Sequence, residues 1–269
     1  MPNGSYTRIV DGDRRLNSYQ ISELRGLGGA DISDRQSVPG ATVNDLDDAA
    51  INGVQDQIKR LHSRQLAGVT TKEEMLTRIN ATDNAGHVTL AGLLVLGKYP
   101  QQFYDQLFID VVVHPAREKS TDPTGIRFLD RQVCDGKMPL AIDDAVNAVV
   151  RNLRTTSVES GTGVVSEPEI PVVVLREAIA NAVIHRDYGE VGRGTQIAVD
   201  VYPDRVEVSN PGGLWGGRTI DNLDEGVSES RNTALKALMM RAIDSEGRAI
   251  AESQGSGIRR MIAVLTSRG

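Results

Sequence analysis

The chain has 269 residues, a formal net charge of −6, and a composition of 39% hydrophobic and 25% charged residues. This length allows one large domain or two ordinary ones, each with a buried core. The negative charge excludes general attraction of the whole molecule to nucleic acid or anionic membranes, so DNA recognition would require a local basic patch or a further domain.

Cys134 is the single cysteine of the chain, which excludes an intramolecular disulfide framework and a cysteine-based zinc site. We predict that it is a core thiol. No secretory signal peptide opens the sequence, and no apolar run approaches the roughly 20 residues of a membrane-spanning helix. These features predict a cytoplasmic protein with no membrane partner.

Residues 1–28 are predicted to form a strand, a polar turn and a short helix. Because so short a segment cannot bury a core of its own, we interpret it as the tail of a truncated N-terminal domain. Residues 30–40 are rich in turn formers and are predicted to be a linker.

Residues 29–100 are predicted to be a small, mostly helical, winged-helix-like segment. After Thr42, apolar residues three and four positions apart indicate a first helix. These residues are Ile51, Val54, Ile58 and Leu61. Thr71 and Glu74 have the spacing of a capping box at the start of a second helix. The run "HVTLAGLLVLG" is predicted to be a strand, and Pro100 marks the boundary of the segment.

The stretch "GLLVLGKY", from Gly92 to Tyr99, has the G-x-x-x-x-G-K spacing of a phosphate-binding loop. Tyr99 stands where such loops carry the hydroxyl that binds Mg²⁺, and Pro100 stands where a helix should begin. The intervening residues are apolar, which favours burial over a loop open to phosphates. We therefore predict a buried strand ending in a turn, and an ATP-driven helicase motor is disfavoured.

Residues 101–269 are predicted to alternate between strands and helices. A buried strand over "QLFIDVVVHP" precedes an amphipathic helix, and a loop or hairpin follows around residues 155–167. The apolar face of that helix comprises Ile142, Val146, Val149 and Leu153. A helix is predicted to start at Pro168 and Pro171, and "TQIAVDVYPDRVEVSNPGG" predicts a hairpin. Two helices are predicted in the tail, over "RNTALKALMMRAI" and "GIRRMIAVLTSR".

The helix within "LREAIANAVIHRDYG" carries polar residues at intervals of four, namely Glu177, Asn181 and His185. This spacing places the three side chains on one helix face, while the apolar remainder predicts burial all round. A buried carboxylate and amide need partners. They can belong to a structural network with neighbouring backbone, or line a ligand cavity in which a carboxylate takes a proton from water and an amide oxygen holds a hard cation.

Two glycine-rich stretches lie downstream of this helix. Gly212 and Gly213 in "SNPGGLW" permit a positive φ and let a ligand approach the backbone. Gly255 and Gly257 flank the start of the last helix, where backbone N–H groups and the positive helix end suit a phosphate.

In this order, the segments resemble the GHKL ATPase superfamily of gyrase, Hsp90-type heat-shock proteins, histidine kinases and MutL. "LREAIANAVIHRDY" resembles its N-box, "SNPGG" stands in place of its Asp-x-Gly box, and "GSG" in place of its second glycine box. With "SRNTAL" and "GSGIRRM", the chain more closely resembles the divergent GHKL-like module of bacterial ATP-binding transcriptional regulators called helicase-related. Those proteins also carry an N-terminal Schlafen/AlbA-like DNA-binding domain.

The resemblance implies an α/β (α+β) fold, a two-layer sandwich with a mixed sheet over residues 101–269, preceded by the small helical segment. It implies ATP and Mg²⁺ as cofactors. Glu177 would be the general base, and Asn181 the Mg²⁺ ligand. The remaining implied nucleotide contacts are Gly212 and Gly213 at the adenine, and Gly255 and Gly257 at the phosphates. His185 and Arg186 would stand at the phosphate mouth, although a structural bond to a neighbouring strand remains open for His185.

The sequence departs from the superfamily at the acidic residue that accepts from the adenine amino group. Asn210 or Ser209 stands there, and an amide oxygen accepts less strongly than a carboxylate. Arg231 and Asn232 follow Ser230, a candidate helix cap, and would organise that turn. We expect an ATP-binding regulatory module of a transcriptional regulator, acting as a slow Mg²⁺-dependent ATPase coupled to DNA binding. The alternative is a binding or assembly module whose nucleotide site has decayed.

The expected partners follow from this function. A nucleotide is the expected small-molecule ligand, and DNA contact is expected only through the missing N-terminal domain. Homo-oligomerisation is left open.

Overall fold

The computed structural model describes residues 6–9, 12–15, 33–119, 125–160, 163–190, 192–215, 219–223, 230–243 and 257–267. Near the N-terminus, β1 (Tyr6–Ile9) pairs antiparallel with β2 (Gly12–Arg15). The sequence predicted one strand here and a short helix after it. The second strand takes up part of this segment, and the predicted helix lies outside the described residues.

Residues 33–102, which we call the helical unit, contain α1 (Asp48–Arg60), α2 (Lys72–Arg78) and α3 (Leu90–Leu96). Short 3-10 turns lie between and around these helices, at Ser33–Arg35, Val43–Asp45, Arg64–Leu66 and Pro100–Gln102. The capping box of α2 is confirmed, since Thr71 accepts from Glu74 N at 3.2 Å and Glu74 accepts from the Thr71 backbone.

The first helix buries the predicted apolar face at Ile51, Val54 and Ile58. Asp47 begins it by accepting a hydrogen bond from Ala49 N at 2.8 Å. Leu61 lies just past the helix end and remains 59% exposed, so its assignment to the buried face was wrong. The helix ends at Arg60, so helical spacing no longer directs the Leu61 side chain to the buried face, and it faces solvent.

The run predicted to be a strand after His87 is instead the helix α3. Thr89 begins it by accepting from Gly92 N at 3.0 Å, and all of Leu90–Leu96 is buried. A short apolar run does not distinguish a strand from a helix buried on every side. Gly92 lets α3 pack closely on Ala81, and Gly97 is the C-cap of the helix. Neither glycine lies in a phosphate-binding loop, in agreement with the prediction.

The predicted linker over residues 30–40 is packed where the structure describes it. Asp34 is fully buried, and Val38 is 3% exposed. Val38 N also donates to Val88 O at 2.9 Å, which ties the segment to the start of α3. These residues therefore form part of the helical unit.

The second half of the chain is a sandwich of a mixed four-stranded sheet and helices, which confirms the predicted α/β class. Its elements are β3 (Ile109–Val113), β4 (Asp130–Cys134), α4 (Met138–Asn152), β5 (Thr155–Ser160), β6 (Gly163–Pro168), α5 (Val172–His185), β7 (Ile197–Val201), β8 (Val206–Ser209), α6 (Thr233–Met239) and α7 (Gly257–Thr266), with 3-10 turns at Gly192–Gly194 and Ile220–Asn222. The sheet order is β4-β3-β7-β8, and β5 and β6 form a separate hairpin.

The two central strands, β3 and β7, run parallel, and the outer strands pair antiparallel to them. Val111 and Val199 lie opposite each other and are both buried beneath α4 and α5. Ser209 pairs with Ala198, so the loop after β8 leaves the sheet at the end where β7 begins. This register brings the "SNPGG" loop to one edge of the sandwich.

Cys134 ends β4 and is 1% exposed. Burial raises the pKa of its thiol to about 12, so the group stays protonated and unreactive at neutral pH, as predicted for a core thiol. Among the described residues, no helix combines the length and apolar character needed to cross a membrane.

Candidate functional site

The polar stripe of α5 consists of Glu177, Asn181 and His185, and all three side chains are partly exposed. The prediction of burial all round was therefore wrong. The sheet and α4 cover the apolar faces of the helix, while the stripe stays at the surface of the core. Asn181 Nδ2 donates to Glu177 Oε1 at 3.1 Å, one helical turn away. The pair thus presents a carboxylate and an amide side by side on a half-open face.

Arg186, at the C-terminal end of α5, serves the fold rather than an open phosphate mouth. It is 1% exposed, and its Nη2 donates to Gly192 O at 3.0 Å and to Thr195 O at 2.6 Å. Burial lowers the pKa of the Arg186 guanidinium. The buried Tyr188 hydroxyl donates to Val183 O at 3.0 Å, which ties the segment after α5 back to the last turn of that helix.

The glycine loop after β8 packs against the segment that follows α5. Asp187 N donates to Pro211 O at 2.8 Å. Gly212 has a φ of +110°, whereas Gly213 does not share this left-handed conformation. Of the two glycines that permit a positive φ, Gly212 therefore adopts one and Gly213 does not. Asn210 is half-buried in the loop, where its Nδ2 donates to Pro211 O at 3.3 Å.

Arg231 holds the glycine loop in place and is 3% exposed. Its Nη2 donates to Gly213 O at 3.3 Å, its Nη1 lies 3.8 Å from Asp187 Oδ2, and its guanidinium stacks 4.9 Å from the Trp215 ring centre. A Cβ at Gly212 would overlap Arg231 Nη1, so glycine is needed for this close approach.

The start of α6 is organised differently from the prediction of a Ser230 cap. Asn232 occupies the N-cap position, but its amide donates instead to Ile184 O at 2.8 Å and to Arg186 O at 2.7 Å. The helix cap comes from Asp34, whose Oδ2 accepts from Ala234 N at 2.7 Å and from Leu235 N at 2.9 Å. No local sequence signal connects Asp34 with a helix so far along the chain.

The carboxylate of Glu177 lies close to two further elements. Helix α7 begins at Gly257 and packs against α5 so closely that a Cβ there would overlap Glu177 Oε1. Lys236 on α6 is half-buried, and burial lowers its pKa, with the Glu177 carboxylate acting in the opposite direction. The sequence did not single out Lys236. Gly255 lies outside the described residues.

The polar stripe runs about 12 Å along the helix axis from Glu177 to His185. Gly257 approaches one end of it, and the loop of Gly212 packs on Asp187 beyond the other end. The two glycine segments therefore lie near opposite ends of the stripe. We call this arrangement the candidate site.

The chain is thus a mixed α/β sandwich with a helical unit and a polar helix face that has a glycine segment near each end. Residues 194–269 match a family model described as "Putative ATP-dependent DNA helicase recG C-terminal". Residues 29–110 match a model described as "Domain of unknown function (DUF8451)".

The chain is also similar to a solved crystal structure, that of the DIP2311 protein from Corynebacterium diphtheriae. The two are 23% identical with a TM-score of 0.57, and the likeness covers 96% of this chain and 47% of that one. The chain therefore spans about half the length of that protein, with which it shares a fold. No curated protein matches the chain.

Proposed function

We propose that the chain is an ATP-binding regulatory module of GHKL type, with slow Mg²⁺-dependent ATPase activity. The observation that carries this proposal is the Glu177–Asn181 pair on the half-open face of α5, with glycine segments near both ends. The similarity of residues 194–269 to a family described as ATP-dependent supports a nucleotide as the ligand. That similarity begins after α5, so the roles of Glu177 and Asn181 rest on their geometry.

The residues present suit a magnesium nucleotide. Mg²⁺ prefers few protein ligands and completes its shell with water and substrate phosphates. Within the described parts of the chain, no group of three or more acidic, histidine or cysteine side chains could hold a metal alone. As the GHKL resemblance implies, the amide oxygen of Asn181 would be the protein ligand, while its Nδ2 stays bonded to Glu177 Oε1. Bound Mg²⁺ would neutralise phosphate charge.

Glu177, Lys236 and Gly257 have the other roles in the proposed site. The Glu177 carboxylate accepts a proton from water, and its hydrogen bond from Asn181 orients it for this task. The ammonium of Lys236, within electrostatic range of Glu177, offsets negative charge at the same end of the stripe. Gly257 leaves space for the carboxylate, because any side chain there would displace it.

The regulatory part of the proposal concerns DNA. The net charge of −6 makes this chain a poor DNA-binding surface as a whole. In the regulators that the chain resembles, DNA contact belongs to a Schlafen/AlbA-like domain, and we propose the same division of roles here. The nucleotide state of the present module would alter that contact.

Titration calorimetry with ATP and Mg²⁺ tests the binding proposal. Wild-type protein should bind, and Asn181→Ala should weaken binding by at least about tenfold, because it removes the metal ligand. Asn152→Ala is the matched control, since Asn152 lies exposed at the end of α4. No binding at millimolar ATP by folded wild-type protein would contradict the proposal and favour a binding or assembly module with a decayed nucleotide site.

Hydrolysis is tested separately with Glu177→Gln. Removing the base should slow phosphate release by about 10²-fold or more while ATP affinity stays close to wild type. Single-turnover phosphate release measures the rate, and Glu207→Gln on β8 serves as a control. An unchanged rate in Glu177→Gln would remove Glu177 from the role of base.

A further inference from the structure

Helix α6 is held on one side by the helical unit. Asp34 caps its first turn through two hydrogen bonds, and Arg35 Nη2 donates to Thr233 Oγ1 at 3.5 Å. Helix α3, which is buried along its whole length, packs directly against α6. The contact therefore lies within the continuous hydrophobic core that the helical unit shares with the sandwich.

The same helix borders the candidate site on its other side. Asn232 at its start holds the C-terminal carbonyl groups of α5, and Arg231 holds the glycine loop at Gly213. Lys236 lies one turn further along, on the face of Asn232, within electrostatic range of Glu177. A shift of α6 would move all of these groups together.

The cap supplied by Asp34 matters because α6 cannot cap itself. It has only seven residues, and the side chain at its N-cap position, Asn232, makes no capping bond. The backbone N–H groups of Ala234 and Leu235 are buried with Asp34, so losing its carboxylate would leave both without an acceptor. An isolated helix this short is not stable in water.

We infer that the helical unit controls the candidate site through α6, and that Asp34 is the positioning residue of this connection. The inference rests on the proposed nucleotide function and names its regulation. Because coupling between two parts of a protein is reciprocal, nucleotide binding must also strengthen the contact between α6 and the helical unit. A partner that disturbs the helical unit would thereby weaken nucleotide binding.

The test compares the affinity for ATP and Mg²⁺ of three variants of the full chain. Asp34→Ala should weaken binding by roughly tenfold, the equivalent of a lost helix cap. Asp34→Asn should restore most of the affinity, because one amide oxygen can accept both hydrogen bonds. Thr71→Ala removes the cap of α2, away from α6, and should leave the affinity unchanged.

The outcomes separate the two proposals. Absence of binding by the wild type contradicts the nucleotide function and the inference with it. Binding by the wild type with equal affinity in folded Asp34→Ala overturns the inference alone, as does an equal loss in Thr71→Ala.

Hydrogen exchange of the wild type covers the case in which Asp34→Ala does not fold. ATP with Mg²⁺ should slow exchange in α6 and also in α3 of the helical unit. Protection confined to the sandwich would overturn the inference.

Discussion

Gly92→Ala should lower the free energy of unfolding by about 3 kcal/mol, at the upper end of the cost of overfilling a packed core. A Cβ at this position would lie 2.7 Å from Ala81 Cα and would overlap the Ala81 carbonyl oxygen. These are backbone atoms, and Ala81 is bonded on both sides, with its N donating to Leu76 O and its O accepting from Thr89 N. The overlap could therefore be relieved only if α3 moved away from Ala81.

Gly53→Ala is the matched control for this prediction. Gly53 lies within α1, and a Cβ there would meet no atom within 4 Å. The substitution should raise the free energy of unfolding by up to about 1 kcal/mol, because alanine is the better helix former. Urea unfolding followed by circular dichroism measures both variants. Equal effects of the two substitutions would contradict the close packing of α3 on residue 81.

Arg186→Met should lower the free energy of unfolding by about 3 kcal/mol, since hydrogen bonds from a charged donor contribute roughly 1.5–3 kcal/mol each. Methionine keeps much of the apolar stem but donates nothing to Gly192 O and Thr195 O. Both carbonyl groups would lose their donor next to the buried Tyr188. The turn that follows α5 should then loosen.

Arg205→Met provides the comparison for Arg186. Arg205 pairs with Glu207 at the surface, and its side chain is 41% exposed, so the loss should stay below about 1 kcal/mol. Thermal and urea unfolding of both variants measure the difference. A similar small loss in Arg186→Met would mean that water replaces the guanidinium, contrary to its burial.

The parts of the fold that depend on near neighbours in the chain were predictable. The capping box of Thr71 and Glu74, the hairpin that ends at Ser209 and the helix that follows Pro171 all appear where the sequence placed them. Their signals are period and spacing over a few residues. The strand predicted after His87 failed because its signal was composition alone, which a buried helix shares.

The candidate site was partly predictable for the same reason. A helical repeat of four places Glu177, Asn181 and His185 on one face without any tertiary information. Arg231 was predicted only to organise the turn before α6, and Lys236 was not singled out, because local spacing does not connect either residue with α5. Their positions depend on how α6 packs against α5 and the glycine loop.

By itself, the sequence determined the class of fold, through the order of its predicted strands and helices. It also determined the polar stripe of α5 and named Gly212 among the residues able to adopt a positive φ, since both follow from local backbone geometry. Only the tertiary structure decided that Arg186 is a buried support, that Gly257 abuts Glu177, and that Asp34 caps a helix 200 residues away. Such contacts depend on the closing of long loops, and an acidic residue in a turn-rich segment carries no mark of the distant amide groups that it will meet.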